Sequence, residues 1–145
     1  MIIRKADESD IPAVAQMAVI MWDSHTAEEL FEMFAEIVGS DSGAVFVAEA
    51  DNHPVGFVQC QLRHDYVEGT VSSPVGYLEG IFVMPQYRNR GYAKALLLQC
   101  EEWAKLKGCS EFASDCELDN SVSLDFHLNV GFTEANRIIC FTKTL

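Results

Sequence analysis

Apolar positions along the chain follow two periods that alternate in a readable order. Met1 to Arg4 reads as a short strand. Asp7, Glu8, Ser9 and Asp10 then offer capping and dipole-compensating carboxylates for a helix that tolerates Pro12 in its first turn. Ile11, Val14, Ala18 and Met21 recur at helical spacing, which makes that face core. Thr26-Ala27-Glu28-Glu29 is a capping-box pattern for a second helix, with Leu30, Met33, Phe34 and Ile37 inward and Gly39 as its stop. The link Trp22-Asp23-Ser24-His25 is short and polar beside an aromatic ring, and reads equally as a helix-helix turn or as a substrate-facing segment.

The period then changes to that of strands. Ala44 to Ala50 and Val55 to Arg63 flank the turn Asp51-Asn52-His53-Pro54 and predict an antiparallel hairpin. After a polar loop from His64 to Pro74, the chain re-enters the sheet at Val75 to Val83. Gly80 inside that strand predicts a bulge or a close backbone approach, and a bulge here would splay the next strand away and open a cleft. A helix from Gly91 to about Lys107, ended by Gly108, is expected to bury Ala95, Leu98 and Trp103 or their neighbours. Cys109 to Asp115 follows as a strand, parallel to the preceding one because a helix joins them. Ser121 to Val130 predicts the last helix, and Arg137 to Thr144 a final strand. The order is strand, two helices, three strands, helix, strand, helix, strand, without repeat or linker, so one domain spanning 1–145 is expected.

Charge narrows the partners. Ten basic against 22 acidic residues give a net charge of −12. Such a surface repels nucleic acid and anionic membrane and attracts cations, although an acidic surface also serves solubility alone. The five cysteines are odd in number and scattered, with no C-x-x-C pair, which indicates neither a disulfide framework nor a zinc site and fits a reducing cytoplasm. Arg4 and Lys5 directly after Ile2 and Ile3 leave no signal-peptide core, and no apolar run approaches membrane-spanning length.

The strongest chemical signal is Arg88-x-x-Gly91-x-Ala93, set between an apolar strand and the helical run Lys94 to Cys100. A diphosphate needs several N–H donors aimed at one place, which a free helix start supplies, and a residue small enough for close approach, which Gly91 supplies. Arg88, Arg90 and Lys94 add positive charge. These residues resemble the acetyl-CoA signature of the Gcn5-related N-acetyltransferase (GNAT) superfamily, and the element order matches it along the whole chain. The implied fold is α/β (α+β): a mixed, mostly antiparallel sheet with splayed parallel strands at the coenzyme and helices on both faces.

Two further motifs, Ser73-Pro74-Val75 leading to Leu78 through Pro85, and Glu111 to Asp115 continuing to Leu118-Asp119-Asn120, resemble the aminoglycoside 6'-N-acetyltransferases. Trp22, His25, Tyr66, Gly131-Phe132 and Arg137 stand in matching places. The resemblance implies acetyl transfer from acetyl-CoA to an aminoglycoside 6'-amine, with no metal. It places the amino-sugar against Trp22, His25, Tyr66, Glu79 and Asp115. The coenzyme is placed along Ile81, Phe82 and Val83, then Arg88, Asn89, Arg90, Gly91, Tyr92, Ala93 and Lys94, with Asn120 touching it. A homodimer is implied as well. Asn136 departs from the pattern, because close relatives often place a glutamate there; Glu134 is a candidate to compensate.

For catalysis, Glu79 and Asp115 on adjacent strands would share one cleft and handle the amine proton, directly or through water. A backbone N–H near Ile81 or Phe82 would stabilise the oxyanion. His127 occupies the place where the wider superfamily often puts a tyrosine that protonates the leaving thiolate. Cys116 is expected to be a spectator. Two other functions are compatible with the same residues: acetylation of a polyamine or a protein amine, and acetyl-CoA sensing without turnover.

Overall fold

The computed structural model describes residues 1–145. Strand β1 (Ile2–Lys5) leads through a 3-10 turn into helices α1 (Ile11–Met21) and α2 (Ala27–Val38). Asp7 caps the turn by accepting from Ser9 N, while buried Asp10 reaches back to the Asp7 N–H. Asp10 also accepts from both Arg4 Nη atoms, at 2.7 and 2.8 Å, and these bonds hold its carboxyl below the usual carboxylate range. At α2 only half of the predicted capping box forms. Thr26 Oγ1 accepts from Glu29 N at 3.1 Å, but the Glu29 carboxylate turns to His25 instead.

Strands β2 (Gly43–Ala50), β3 (His53–Arg63) and β4 (Val75–Val83) follow, then α3 (Tyr92–Leu106), the short β5 (Phe112–Ala113) and α4 (Ser121–Asn129). The sheet order is β1-β2-β3-β4-β5, antiparallel throughout except for the parallel β4–β5 pair. Alternation along β2 divides the core between the two faces. Ala44, Phe46 and Ala48 pack with Leu96, Leu97, Cys100 and Trp103 of α3, whereas Val45 and Val47 pack with Val14, Ala18, Leu30 and Phe34 of α1 and α2. Helices therefore cover both faces, as expected. In α3 Trp103 is buried as expected, and Leu96 and Leu97, the neighbours of Ala95 and Leu98, are buried while Leu98 itself is exposed.

The predicted irregularity in β4 is present and has a specific register. Gln59 of β3 lies opposite Gly80 and Cys60 opposite Leu78, so Glu79 is the extra residue of a bulge. The predicted close approach is there too: a Cβ on Gly80 would lie 2.5 Å from Trp22 Cζ2. Beyond the bulge β4 and β5 separate, having paired only at Gly76 with Phe112 and Tyr77 with Ala113. The expected strand from Cys109 to Asp115 is accordingly reduced to two residues.

One expected strand does not form within the chain. Residues 137–144 pair with no strand, and Ile138, Ile139 and Phe141 are exposed. A strand exists only where a neighbour takes its N–H and C=O groups, and the two-residue β5 is the last strand of the sheet on that side.

Candidate active site

The part of the site nearest α1 and α2 is a cleft of about 440 Å³ lined by Trp22, His25, Glu29, Met33, Gln59 and Glu79, among others. Trp22 closes α1 and leans on the core, stacked on Phe34 with centroids 6.4 Å apart and edge-on to Phe57. Its indole can lie against β4 because Gly80 has no side chain. His25 Nδ1 is 3.1 Å from Glu29 Oε2, one helical turn on.

Glu79 is half-buried on the bulge, and its direction is set by Arg63. The guanidinium donates to Glu79 from Nε at 3.1 Å and from Nη2 to the two oxygens at 2.9 and 3.0 Å. Arg63 is itself positioned flat on Tyr77, with Cζ 3.5 Å from the ring centroid. The Tyr77 hydroxyl donates to Asp115 Oδ2, and burial, then this bond, pushes the Tyr77 phenol well above its usual range. Glu79 and Asp115 are thus the two ends of one connected chain, Glu79–Arg63–Tyr77–Asp115.

Arg63 also lines an adjoining depression with His64, Asp65 and Tyr66. Tyr66 is 80% exposed and donates to Glu68 Oε2 at 2.6 Å; Glu68 Oε1 accepts from Asn136 Nδ2 at 2.9 Å. These bonds, the one from Asn136 first, hold the Glu68 carboxyl below its ordinary range. Asn136 therefore joins the C-terminal segment to the Tyr66 loop through an acidic residue. The other candidate carboxylate there, Glu134, is taken by Arg137.

On the opposite side of β4, the residues expected to hold the coenzyme form a continuous rim. Beyond Tyr77 the edge of β4 that faces away from β3 has no β5 partner, so alternate backbone groups of 78–83 open onto the gap. The Phe82 and Val83 side chains are buried; the Phe82 backbone faces β3, in step with the bond from Met84 N to the Val55 carbonyl, and the Ile81 and Val83 backbones face the gap. Arg88 is pinned by its Nε to the Val83 carbonyl at 2.9 Å. Asn89 and Gly91 both adopt positive φ, 59° and 85°, and Gly91 starts α3 with no side-chain cap. A Cβ on Gly91 would meet nothing nearer than Met1 Cε at 3.8 Å, so its face is open to an approaching anion. Arg90 and Lys94 are exposed, whereas the Tyr92 ring is buried against Tyr87, so that Tyr92 offers its backbone. This set fits a coenzyme diphosphate. Asn120 caps α4, its Oδ1 accepting from Ser123 N at 3.1 Å, and keeps its amide NH2 for another partner.

Residues 12–132 match the model of the acetyltransferase (GNAT) family. An aminoglycoside N(6')-acetyltransferase type 1 of Stenotrophomonas maltophilia is 40% identical over 144 residues, covering 99% of this chain and 93% of the relative. The chain belongs to the GNAT family, in its aminoglycoside 6'-N-acetyltransferase branch. A second GNAT relative of the same name, from Salmonella typhimurium strain LT2, is 42% identical over 85% of each chain. The solved structure of AAC(6')-Iy with the bisubstrate analog CoA-S-monomethyl-acetylneamine superposes with a TM-score of 0.95 at 38% identity, over 99% of this chain and 98% of that one.

For this GNAT chain, Trp22, His25 and Glu79 meet in one cleft, Tyr66 lies beside it, and Asp115 joins through Tyr77. His127 is half-buried, with both ring nitrogens occupied. Among the polar residues at the site that the sequence did not mark as functional are Gln59, Gln61, Arg63, Glu68 and Tyr77. A signal existed for three of them. Gln59, Gln61 and Arg63 alternate along an otherwise apolar strand and so share one face, the period-2 mark of a strand that leaves the core. Cys116 is exposed and makes no hydrogen bond that would activate it.

Proposed function

We propose that the protein transfers the acetyl group of acetyl-CoA to the 6'-amine of aminoglycoside antibiotics by direct attack, in one acetyltransferase domain, and thereby confers resistance. The observation that carries this reading is the division of labour along β4. Glu79 on its bulge faces the acidic cleft, and the turn after its end leads to an open, uncapped helix start. An anionic donor and a polycationic acceptor are thus received on two sides of one strand.

Acetyl-CoA supplies the activated acyl group as a thioester. Arg90, Lys94 and the N–H groups at the start of α3 hold its diphosphate, and Asn120 supplies an amide donor. The backbone N–H of Ile81, on the open edge of β4, orients the carbonyl and stabilises negative charge on its oxygen. Glu79 and Asp115 bind ammonium groups of the acceptor, Trp22 and Tyr66 give faces for the sugar rings, and His25 and Asn136 border them. With Glu79 anchored by Arg63 and Asp115 by Tyr77, both carboxylates are held in place before the acceptor arrives. The test is incubation of a panel of kanamycin-class drugs with acetyl-CoA and a mass readout. A gain of one acetyl group is expected; unchanged drug with coenzyme-bound protein rules the reading out. Polyamines belong in the same panel, since the −12 charge suits them also.

A cytoplasmic homodimer completes the proposal. Five unpaired cysteines, of which Cys116 and Cys140 are exposed, suit a reducing compartment that also holds acetyl-CoA, and the acidic surface disfavours nucleic acid and anionic membrane. No helix is long and apolar enough to cross a membrane. The exposed 137–144 segment and the uncovered β5 edge are each incomplete, and a second copy would supply both with partners. Light scattering of the eluted protein should give the mass of two chains, and Phe141→Asp should give one. A monomeric parent protein would remove the dimer.

A further inference from the structure

Ser114 stands one residue past the last paired position of β5, where β4 and β5 begin to separate. Its Oγ lies 2.8 Å from His127 Nε2. The imidazole is fixed on its other side, where Nδ1 is 2.6 Å from the Ser123 carbonyl one turn earlier in α4, and its ring packs 5.1 Å from that of Phe132. A carbonyl only accepts, so Nδ1 carries a proton, and Nε2 of the neutral ring is an acceptor. The Ser114 hydroxyl therefore donates to His127.

The same hydroxyl has a second acceptor, the Leu78 carbonyl, at 3.4 Å on β4 across the gap. A hydroxyl has one proton and serves one acceptor at a time. While the imidazole is neutral, that proton points at Nε2. Once Nε2 gains a proton, the bond reverses, Nε2–H donates to Oγ, and the serine proton turns towards the gap. His127 has no free nitrogen of its own facing the reaction, and its only route there runs through Ser114.

We propose that Ser114 is the group that meets the reacting atoms, and that it works with His127 as a proton shuttle between the attacking amine and the departing sulfur. This rests on the acetyl-transfer reading above. As the C–N bond forms, Ser114 Oγ takes one proton from the amine nitrogen and passes its own to His127 Nε2. As the C–S bond breaks, Nε2 returns a proton to Oγ, and Oγ delivers one to the thiolate. Starting from the neutral amine, nitrogen loses one proton, sulfur gains one, and both side chains end as they began. No external acid or base is consumed. Glu79 and Asp115, each already tied to a donor from inside the protein, are left to bind the cationic acceptor.

The test compares Ser114→Ala, His127→Gln and the double variant with the parent at saturating acetyl-CoA and aminoglycoside. Each single change should lower kcat on the order of 10²-fold, with both KM values within about twofold. The double variant should be no slower than the worse single one, because the two residues serve one proton path. Ser114→Thr, which keeps the hydroxyl, should retain most of the rate. On the free protein, 15N NMR should show His127 protonated at Nδ1 and not at Nε2, and Ser114→Ala should move the Nε2 resonance while Nδ1 stays. A parent-like kcat for Ser114→Ala, multiplicative losses in the double variant, or an Nε2 resonance indifferent to Ser114 would each overturn the shuttle. A parent that acetylates no aminoglycoside would overturn the acceptor instead, and the NMR comparison would still decide the shuttle.

Discussion

The two sides of β4 are built in opposite ways. Apart from Asn120, the proposed coenzyme side is contiguous in sequence and rests on the core: Phe82, Val83, Tyr92, Leu96 and Leu97 are buried and fix the strand, the turn and the start of α3. The groups it offers to the proposed diphosphate are largely backbone, with Arg90 and Lys94 beside them. The acceptor side is assembled from the end of α1, the start of α2, β3, β4, the 64–74 loop and β5, and its side chains range from buried, as at Gln59 and Tyr77, to exposed, as at Tyr66. What orders it is a set of hydrogen bonds among polar groups, Arg63 with Glu79, Tyr77 with Asp115, and Tyr66 with Glu68 and Asn136. A diphosphate is a constant ligand that a fixed backbone can match, whereas a family of polycations is better received by a surface of separately adjustable carboxylates.

Breaking the coenzyme side should have the largest effect. Gly91→Val places a β-branched residue at φ 85°, a conformation that costs such a side chain about 1 to 2 kcal/mol, and sets its bulk where the diphosphate approaches. Titration calorimetry should show acetyl-CoA affinity reduced on the order of 10²-fold, about 2.7 kcal/mol, with the drug site intact. Retained affinity would mean that the diphosphate lies elsewhere.

Breaking the acceptor side should leave coenzyme affinity alone. Glu79→Gln and Asp115→Asn should each lower kcat/KM for an aminoglycoside about 10- to 100-fold, the usual worth of a hydrogen bond to a charged group. Glu79→Gln should be the worse of the two, since it also leaves the Arg63 guanidinium facing a neutral partner. Equal losses of coenzyme binding in the same variants would erase the distinction between the sides.

The smallest effect sharpens where the two sides meet. Gly80→Ala brings a Cβ to within 2.5 Å of the Trp22 indole and must displace it. Urea denaturation should show a loss of about 1 to 3 kcal/mol, together with a raised aminoglycoside KM and an unchanged acetyl-CoA KM. Full stability would mean that Trp22 yields without cost and is not fixed by the core.

The difference between the two sides also explains which parts could be read from the sequence. Gly91, Arg88 and the strand before them carry local rules of turn geometry and helix starts, and the structure places them as those rules require. Gly80 announced its bulge for the same reason, but nothing local said that Glu79 would be the extra residue, because register depends on the partner strand. No local rule marks Arg63 and Tyr77 as a bridge between the carboxylates, since their meeting depends on the pairing of β3 with β4. Residues 137–144 have the composition of a strand, and that alone does not supply a neighbour.

By itself the sequence determined the element order as far as α4 and the turn into α3, because each follows from periodicity or from a residue's own backbone freedom. Only the tertiary structure decided which carboxylate sits on the bulge, which guanidinium anchors it, and that His127 faces the gap through Ser114. Those are contacts between side chains far apart in the chain, whose distances are fixed by strand register and helix packing and by no property of the residues taken singly.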